Sequence, residues 1–264
     1  MIRAPRPIRR AALGIGVLAA FAFVGPLLYR VDPTLIDLAH TAAAMSAAHP
    51  LGTDESGRDV LARLMSGGRV SLVVGLAAGL VALIVGTLVG ALAASRPRWL
   101  ATITSRLLDA AMAVPAFFVL LVIVTLFGAG TTTLIAAIGA TAWMGIGRLV
   151  RAETLSLRER EYVTVAAALG ESRPRLFLRH VLPHLVPVLT AAASVGVAQA
   201  VLTESALSFL GLGVGPPDAS WGNMLTGAQQ NLGAAPWLAI YPGALIVALV
   251  LSCNSLSEAF RRRA

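Results

Sequence analysis

The side chains that could do chemistry in this 264-residue chain are few, and most lie in or beside apolar segments. His180 and His184 are four residues apart, a spacing that can place two metal ligands on one helix face. Pro183 disrupts that spacing and no carboxylate or cysteine follows nearby, so no metal site is predicted. All 21 basic residues are arginine, and no HExxH motif is present. Without lysine the chain can form neither a GxxxxGK phosphate-binding loop nor a lysine Schiff base.

Two acidic residues stand inside apolar segments, where ionisable groups mark functional positions by default. Glu204 is expected near the outer end of its segment. It is either solvated there or faces a pore, together with Gln199, and attracts a cationic group such as a peptide amine. Asp109 follows Arg106 by three residues, so the two are expected to pair on one helix face, with a gating role as the alternative.

The composition predicts that these residues are positioned by membrane-spanning helices. The chain is 57% hydrophobic and 13% charged, with a mean hydropathy of +0.79, whereas soluble domains are about 25% charged. We favour a retained first span over a signal peptide because no small-residue cleavage site follows it. Six stretches are long enough to cross a bilayer: 11–29, 70–94, 107–127, 133–150, 185–210 and 237–257.

The arginines indicate the orientation of these spans. With the N-terminus inside, 17 arginines fall in cytoplasmic segments and 4 in outer ones, so both termini are expected in the cytoplasm. Two pairs of small residues four apart, Gly75 with Gly79 and Gly86 with Gly90, let helix backbones approach closely. They predict either packing within this chain or a subunit interface.

The loop between the fourth and fifth spans, residues 151–183, is the most informative segment. Its alanine-rich run favours a helix, and Gly170 stands where a helix end takes a left-handed residue. Ser172 can cap a second helix, with Pro174 in its first turn and Pro183 closing it before the fifth span. The resulting elbow, with apolar and basic residues exposed, could dock in a groove of a soluble partner or lie on anionic lipid.

This loop resembles the cytoplasmic coupling loop of the permeases of binding-protein-dependent ABC importers. It is most similar to the second permease of dipeptide, oligopeptide and nickel importers. Thr164 and Val165 replace the Glu and Ala of the general motif, and His180 replaces an Ile. The stretches 49–61 and 202–222 resemble outer-side motifs of the same subfamily. The residues that carry the subfamily match are Tyr162, Ala166, Ala168, Leu169, Gly170, Arg179, His180, Leu182 and Pro183.

The resemblance implies an all-α integral membrane protein with six transmembrane helices, the transmembrane domain of a type I ABC importer. Residues 1–69 would contain the first helix and an outer loop, 70–257 the permease core, and 258–264 a short basic tail. The implied function is a pore-forming permease subunit for di- or oligopeptides in a bacterial cytoplasmic membrane. Importers of nickel chelates, haem or other small solutes share the pattern. An ion-coupled secondary transporter, which would need ionisable residues at mid-span, is the alternative from another class.

The same resemblance implies that this chain is not an enzyme and binds no cofactor. ATP and Mg would be held by separate ATP-binding subunits. The other partners would be a second homologous permease and an extracytoplasmic substrate-binding protein. The motif residues of the elbow would couple the permease to the ATP-binding subunits. On the outer side, Asp54, Arg58, Asp59 and Trp221 are candidate contacts with the binding protein or the second permease. Local salt bridges, and a membrane-interface anchor at Trp221, are the alternatives.

Overall fold

The computed structural model describes residues 6–95 and 97–262 and is built from helices. Arg3, Arg96 and Arg263, which contributed to the predicted orientation, lie outside the described residues. A 3-10 turn, Leu38–His40, lies in the outer loop. The α-helices are α1 (Arg6–Phe23), α2 (Gly25–Leu28), α3 (Val60–Ala93), α4 (Arg98–Ala113), α5 (Ala116–Phe127), α6 (Thr131–Arg158), α7 (Glu161–Ala168), α8 (Arg173–Leu176), α9 (Leu182–Phe209), α10 (Trp221–Gln229) and α11 (Trp237–Arg261).

Five helical segments of the described chain are long and apolar enough to cross a membrane, and a bent pair of helices could supply a sixth. The bent pair corrects the third predicted span, 107–127, which is not one helix. α4 and α5 meet at an angle of 81°. Pro115 has no N–H to donate and disfavours helical geometry at Val114, which has ψ 124°. α5 alone has 12 residues, too few to cross about 30 Å of hydrocarbon.

Two predicted boundaries also differ from the structure. α3 begins at Val60 because the side chain of Asp59 caps it, accepting a hydrogen bond from the Ala62 N–H at 2.8 Å. The division predicted at 69/70 therefore falls inside a helix. At the other end, α11 continues to Arg261, through most of the predicted tail 258–264.

The glycine pairs of α3 pack against helices of this same chain, as the intrachain interpretation predicted. Gly75 and Gly79 face Val197 and Val201 of α9. A Cβ on Gly86 would come within 2.7 Å of the Ile146 side chain of α6, and Gly90 contacts the same helix. These close approaches hold α6 and α9 against α3, and α6 and α9 carry the two ends of the elbow.

Candidate functional site

The elbow segment, defined here as residues 158–183, joins α6 to α9 on the expected cytoplasmic face. Gly170 has φ +85°, the left-handed conformation predicted for it. Its N–H donates to the Ala167 carbonyl at 3.1 Å, and the Glu171 N–H donates to the Ala166 carbonyl at 3.3 Å, which together form a Schellman motif. No atom lies within 4 Å of a Cβ built on Gly170, so the backbone angle requires glycine here, not lack of space.

The second half of the elbow is continuous with the fifth span, which corrects the predicted role of Pro183. α8 passes through a π turn, Phe177–Val181, directly into α9, and Pro183 lies in the first turn of α9. Pro183 has no N–H to donate, and the π turn directly before it already departs from the regular α-helical hydrogen-bond pattern. Ser172 does precede α8, with Pro174 in the first turn, but its side chain makes no capping hydrogen bond. No loop therefore separates the second half of the elbow from α9.

Two side-chain contacts brace the elbow segment against the start of α9. The rings of Tyr162 and His184 stack with centroids 5.3 Å apart. His180 Nε2 and Glu171 Oε2 lie 2.7 Å apart, which ties the residue after Gly170 to the π turn. The sequence indicated Tyr162 and His180 as coupling residues, but it did not pair His180 with Glu171 or Tyr162 with His184. The partners are nine and twenty-two positions away, and only the fold of the elbow shows that they meet.

One face of α7 is apolar and exposed. Tyr162, Val165 and Leu169, at spacing i, i+3 and i+7, are 41%, 57% and 83% exposed, and we call them the α7 ridge. Val163 points inward and is 2% exposed. Leu176 and Phe177 of the second half of the elbow are half-buried, and they line a cavity described below. Among the other motif residues, Ala166, His180 and Leu182 are half-buried, whereas Ala168, Arg179 and Pro183 are exposed.

In the outer loop, Asp54 and Asp59 form local ion pairs and hydrogen bonds. Asp54 Oδ2 lies 2.7 Å from Arg58 Nε and 3.2 Å from Arg63 Nε. Asp59, besides capping α3, accepts a hydrogen bond from the Tyr29 hydroxyl at 2.9 Å. Burial and this hydrogen bond raise the pKa of Tyr29 to about 12, so the hydroxyl stays protonated and donates at neutral pH.

These outer side chains are not free to contact another protein, which corrects the predicted contacts. Asp54, Arg58 and Asp59 are 5%, 9% and 3% exposed, and Trp221 is completely buried. The Trp221 Nε1–H donates to the Leu64 carbonyl at 3.0 Å inside the main core. Trp221 is thus neither an interface anchor nor an outer contact.

Glu204 also differs from both expectations, because it is completely buried. Its carboxyl oxygens accept hydrogen bonds from Ser71 Oγ at 2.9 Å and Ser208 Oγ at 2.7 Å. Ser71 Oγ also accepts from the Trp221 N–H at 3.2 Å. In this conformation Glu204 reaches neither solvent nor a pore, and it links α3, α9 and the start of α10. Gln199, by contrast, is exposed, and its place on a pore stays a prediction.

The expected pair of Arg106 and Asp109 is absent from the ion pairs between described residues. Both side chains are exposed and line one cavity beside the elbow segment.

Taken together, the apolar helices define a multi-pass membrane protein whose elbow segment exposes the apolar α7 ridge. The family model described as "Binding-protein-dependent transport system inner membrane component" matches residues 86–264, and the chain belongs to this family. It is the permease component of such a transport system.

Relatives and solved structures agree with this assignment. The chain is 39% identical to a Brucella suis protein that carries the name of a peptide permease, over 96% of this chain and 85% of the relative. It is 36% identical to the oligopeptide transport system permease protein OppC of Escherichia coli, over 93% and 82%. An inward-facing structure of the MetNI methionine ABC transporter is similar in fold, with a TM-score of 0.63 at 18% identity over 75% of this chain and 94% of that chain.

Proposed function

We propose that this chain is a pore-forming permease subunit of an ATP-driven importer that moves di- or oligopeptides across a bacterial cytoplasmic membrane. Relatives named as peptide and oligopeptide permeases support the substrate class. Nucleotide chemistry belongs to separate ATP-binding subunits, which bind ATP and Mg, because the chain has no lysine for a phosphate-binding loop. A second homologous permease and an extracytoplasmic binding protein complete the transporter.

The exposure of the α7 ridge is the observation on which the proposed coupling mechanism rests. Three apolar side chains at helical spacing stand exposed outside the expected membrane boundary, where an isolated chain gains nothing by exposing them. A groove on an ATP-binding subunit would cover them, in the manner of a helix that lays its apolar face into a partner. Closure of the ATP-binding subunits would then push on α7.

A displacement of α7 would reach the membrane spans through contacts with α9. The Tyr162–His184 stack and the His180–Glu171 contact pass a displacement of α7 to α9. Because α8, the π turn and α9 are continuous, α9 tilts with the elbow. Coupling requires two discrete arrangements of the bundle, and ATP binding would favour one of them through this surface.

The test is complementation of a strain that lacks this gene and other peptide importers. Leu169→Asp puts a charge into the ridge and should lower uptake of a labelled dipeptide at least about tenfold, the effect of about 1.4 kcal/mol. Leu38→Asp is the matched control, because Leu38 is 75% exposed but lies in the outer loop, outside the candidate spans and at the opposite face. Membrane abundance is measured by blotting. Equal uptake by Leu169→Asp and wild type would contradict coupling through the ridge, and dipeptide uptake independent of the gene would contradict the proposed substrate.

A further inference from the structure

Two adjoining cavities lie beside the elbow segment, where α3 ends at the expected cytoplasmic face. The first has a volume of about 790 Å³ and the second about 620 Å³. They share a wall formed by Ala94, Ser95, Arg158 and Leu176. A ligand that fits both must therefore have two chemically different parts, if the two cavities differ in character.

The first cavity is basic. It is lined by four arginines, Arg98, Arg106, Arg151 and Arg158, against two carboxylates, Asp109 and Glu159. α4 supplies the first two arginines and α6 the others, so the positive charge comes from two helices that face each other. Guanidinium groups bind phosphate oxygens in a bidentate manner, which makes a phosphate the anion that this cavity fits best.

The second cavity is apolar and opens at the periphery of the helix bundle. Its walls include Leu88, Leu92 and Leu178, which are 61%, 43% and 60% exposed and so form its open side. Phe177 and Val181 of the π turn form its inner side. Because α3 is a candidate membrane span, the open side faces hydrocarbon, and an acyl chain is the group that fits there.

Polar atoms without partners mark the border between the two cavities. Ser95 Oγ, Arg151 Nε and Thr154 Oγ1 are buried and have no hydrogen-bond partner within the described chain. Ser95 lines both cavities, Arg151 the basic one and Thr154 the apolar one. Buried polar groups in proteins are almost always hydrogen-bonded, so the concentration of unpaired ones here points to a polar ligand group at the border.

We propose that the two cavities together form a binding site for an anionic glycerophospholipid, with the phosphate against the arginines and an acyl chain in the apolar cavity. Neither a free phosphate nor a neutral lipid would use both halves of the site. The bound lipid would connect α3 and α4 to α6 and α7, since residues of all four helices line the basic cavity. The site thus lies behind α7, on the side opposite the α7 ridge.

The test uses the full chain in neutral detergent, with lipid retention measured by native mass spectrometry. Phosphatidylglycerol should be retained more tightly than phosphatidylcholine of the same chain length. Each arginine near a headgroup contributes about 1 kcal/mol, so Arg106→Gln should weaken retention about fivefold and the double change with Arg151→Gln about 25-fold. Arg175→Gln is the matched control, because Arg175 is exposed at the same face and lines neither cavity.

A second variant tests the apolar half without touching a charge. Ala91→Leu narrows the apolar cavity and should weaken phosphatidylglycerol severalfold while leaving binding of glycerol phosphate unchanged. Equal retention of the two lipids, or no change in the double arginine variant, would overturn the proposal. Binding of inorganic phosphate as tight as the lipid would also overturn it. So would loss of the lipid when the chain is assembled with ATP-binding subunits, because the cavities would then belong to a protein interface.

Discussion

In the outer loop, the buried charged groups have partners within the described chain, whereas the elbow segment exposes apolar side chains and the cavities beside it contain buried polar atoms without partners there. Asp54 and Glu55 neutralise Arg58 and Arg63 in a largely buried cluster. At the elbow, the α7 ridge is exposed, and on the other side of α7 the Nε of Arg151 in the basic cavity lacks an acceptor within the described chain. The difference indicates that the outer loop is stabilised by its own contacts, and it supports the proposal that other molecules bind at the elbow.

The comparison is most strongly tested by removing one partner from the outer cluster. Asp54→Asn leaves the partly exposed Glu55 as the remaining carboxylate beside two arginines, Arg58 and Arg63, and it weakens the hydrogen bond from the Arg58 N–H. Breaking a buried pair in this way costs about 3–5 kcal/mol. The measurement is the free energy of unfolding of the purified chain in detergent.

Glu258→Gln is the control for this prediction. Glu258 pairs with Arg262 at 2.6 Å, but the two side chains are 66% and 74% exposed. Water already solvates both charges, so no measurable loss of stability is expected. If the two variants lost the same stability, the outer cluster would be no more than a surface contact, and the contrast with the elbow would fail.

A smaller effect of a different kind is expected at the elbow. Gly170→Ala forces a side chain into a φ of +85°, at a cost of about 1–2 kcal/mol, although no atom obstructs the new methyl group. The strain should unwind the end of α7 and lower peptide-stimulated ATPase activity of the assembled transporter up to about tenfold. Global stability of the chain should change less than in Asp54→Asn.

Gly145→Ala provides the matched glycine control. Gly145 lies within helical α6 and also has open space around its Cβ position, so alanine there should be neutral or stabilising by up to about 1 kcal/mol. If both glycine variants retained wild-type ATPase stimulation, the left-handed elbow would not be needed for coupling.

The sequence predicted features that depend on neighbouring residues and missed those that depend on distant ones. The apolar spans and the left-handed Gly170 follow from local composition and helix-end chemistry. The burial of Glu204 depends on Ser71, 133 positions earlier in the chain, and no local pattern identifies that partner. A carboxyl group near a span end was therefore expected to be solvated or to face a pore.

Two prolines show the same limit of predicting structure from neighbouring residues alone. Pro115 ends α4 and produces the bend of 81° that the hydropathy of 107–127 concealed. Pro183 was expected to end a helix, but a preceding π turn lets the chain continue into α9. Pro183 is tolerated in the first turn of α9, where an N–H would lack a regular partner, so the two prolines differ in context rather than chemistry.

The smallest expected effect separates the two roles that the structure gives to Tyr162. As a ridge residue it would contact an ATP-binding subunit, and as a brace it stacks on His184. Tyr162→Phe keeps the ring and should retain coupling, whereas Tyr162→Ala should reduce ATPase stimulation a few-fold. A double-mutant cycle with His184→Ala isolates the brace, and a coupling energy of about 0.5–1.5 kcal/mol is expected from an aromatic pair. A cycle that closes to zero would assign Tyr162 to the ridge alone and leave the contact between His180 and Glu171 as the remaining brace between the elbow and α9.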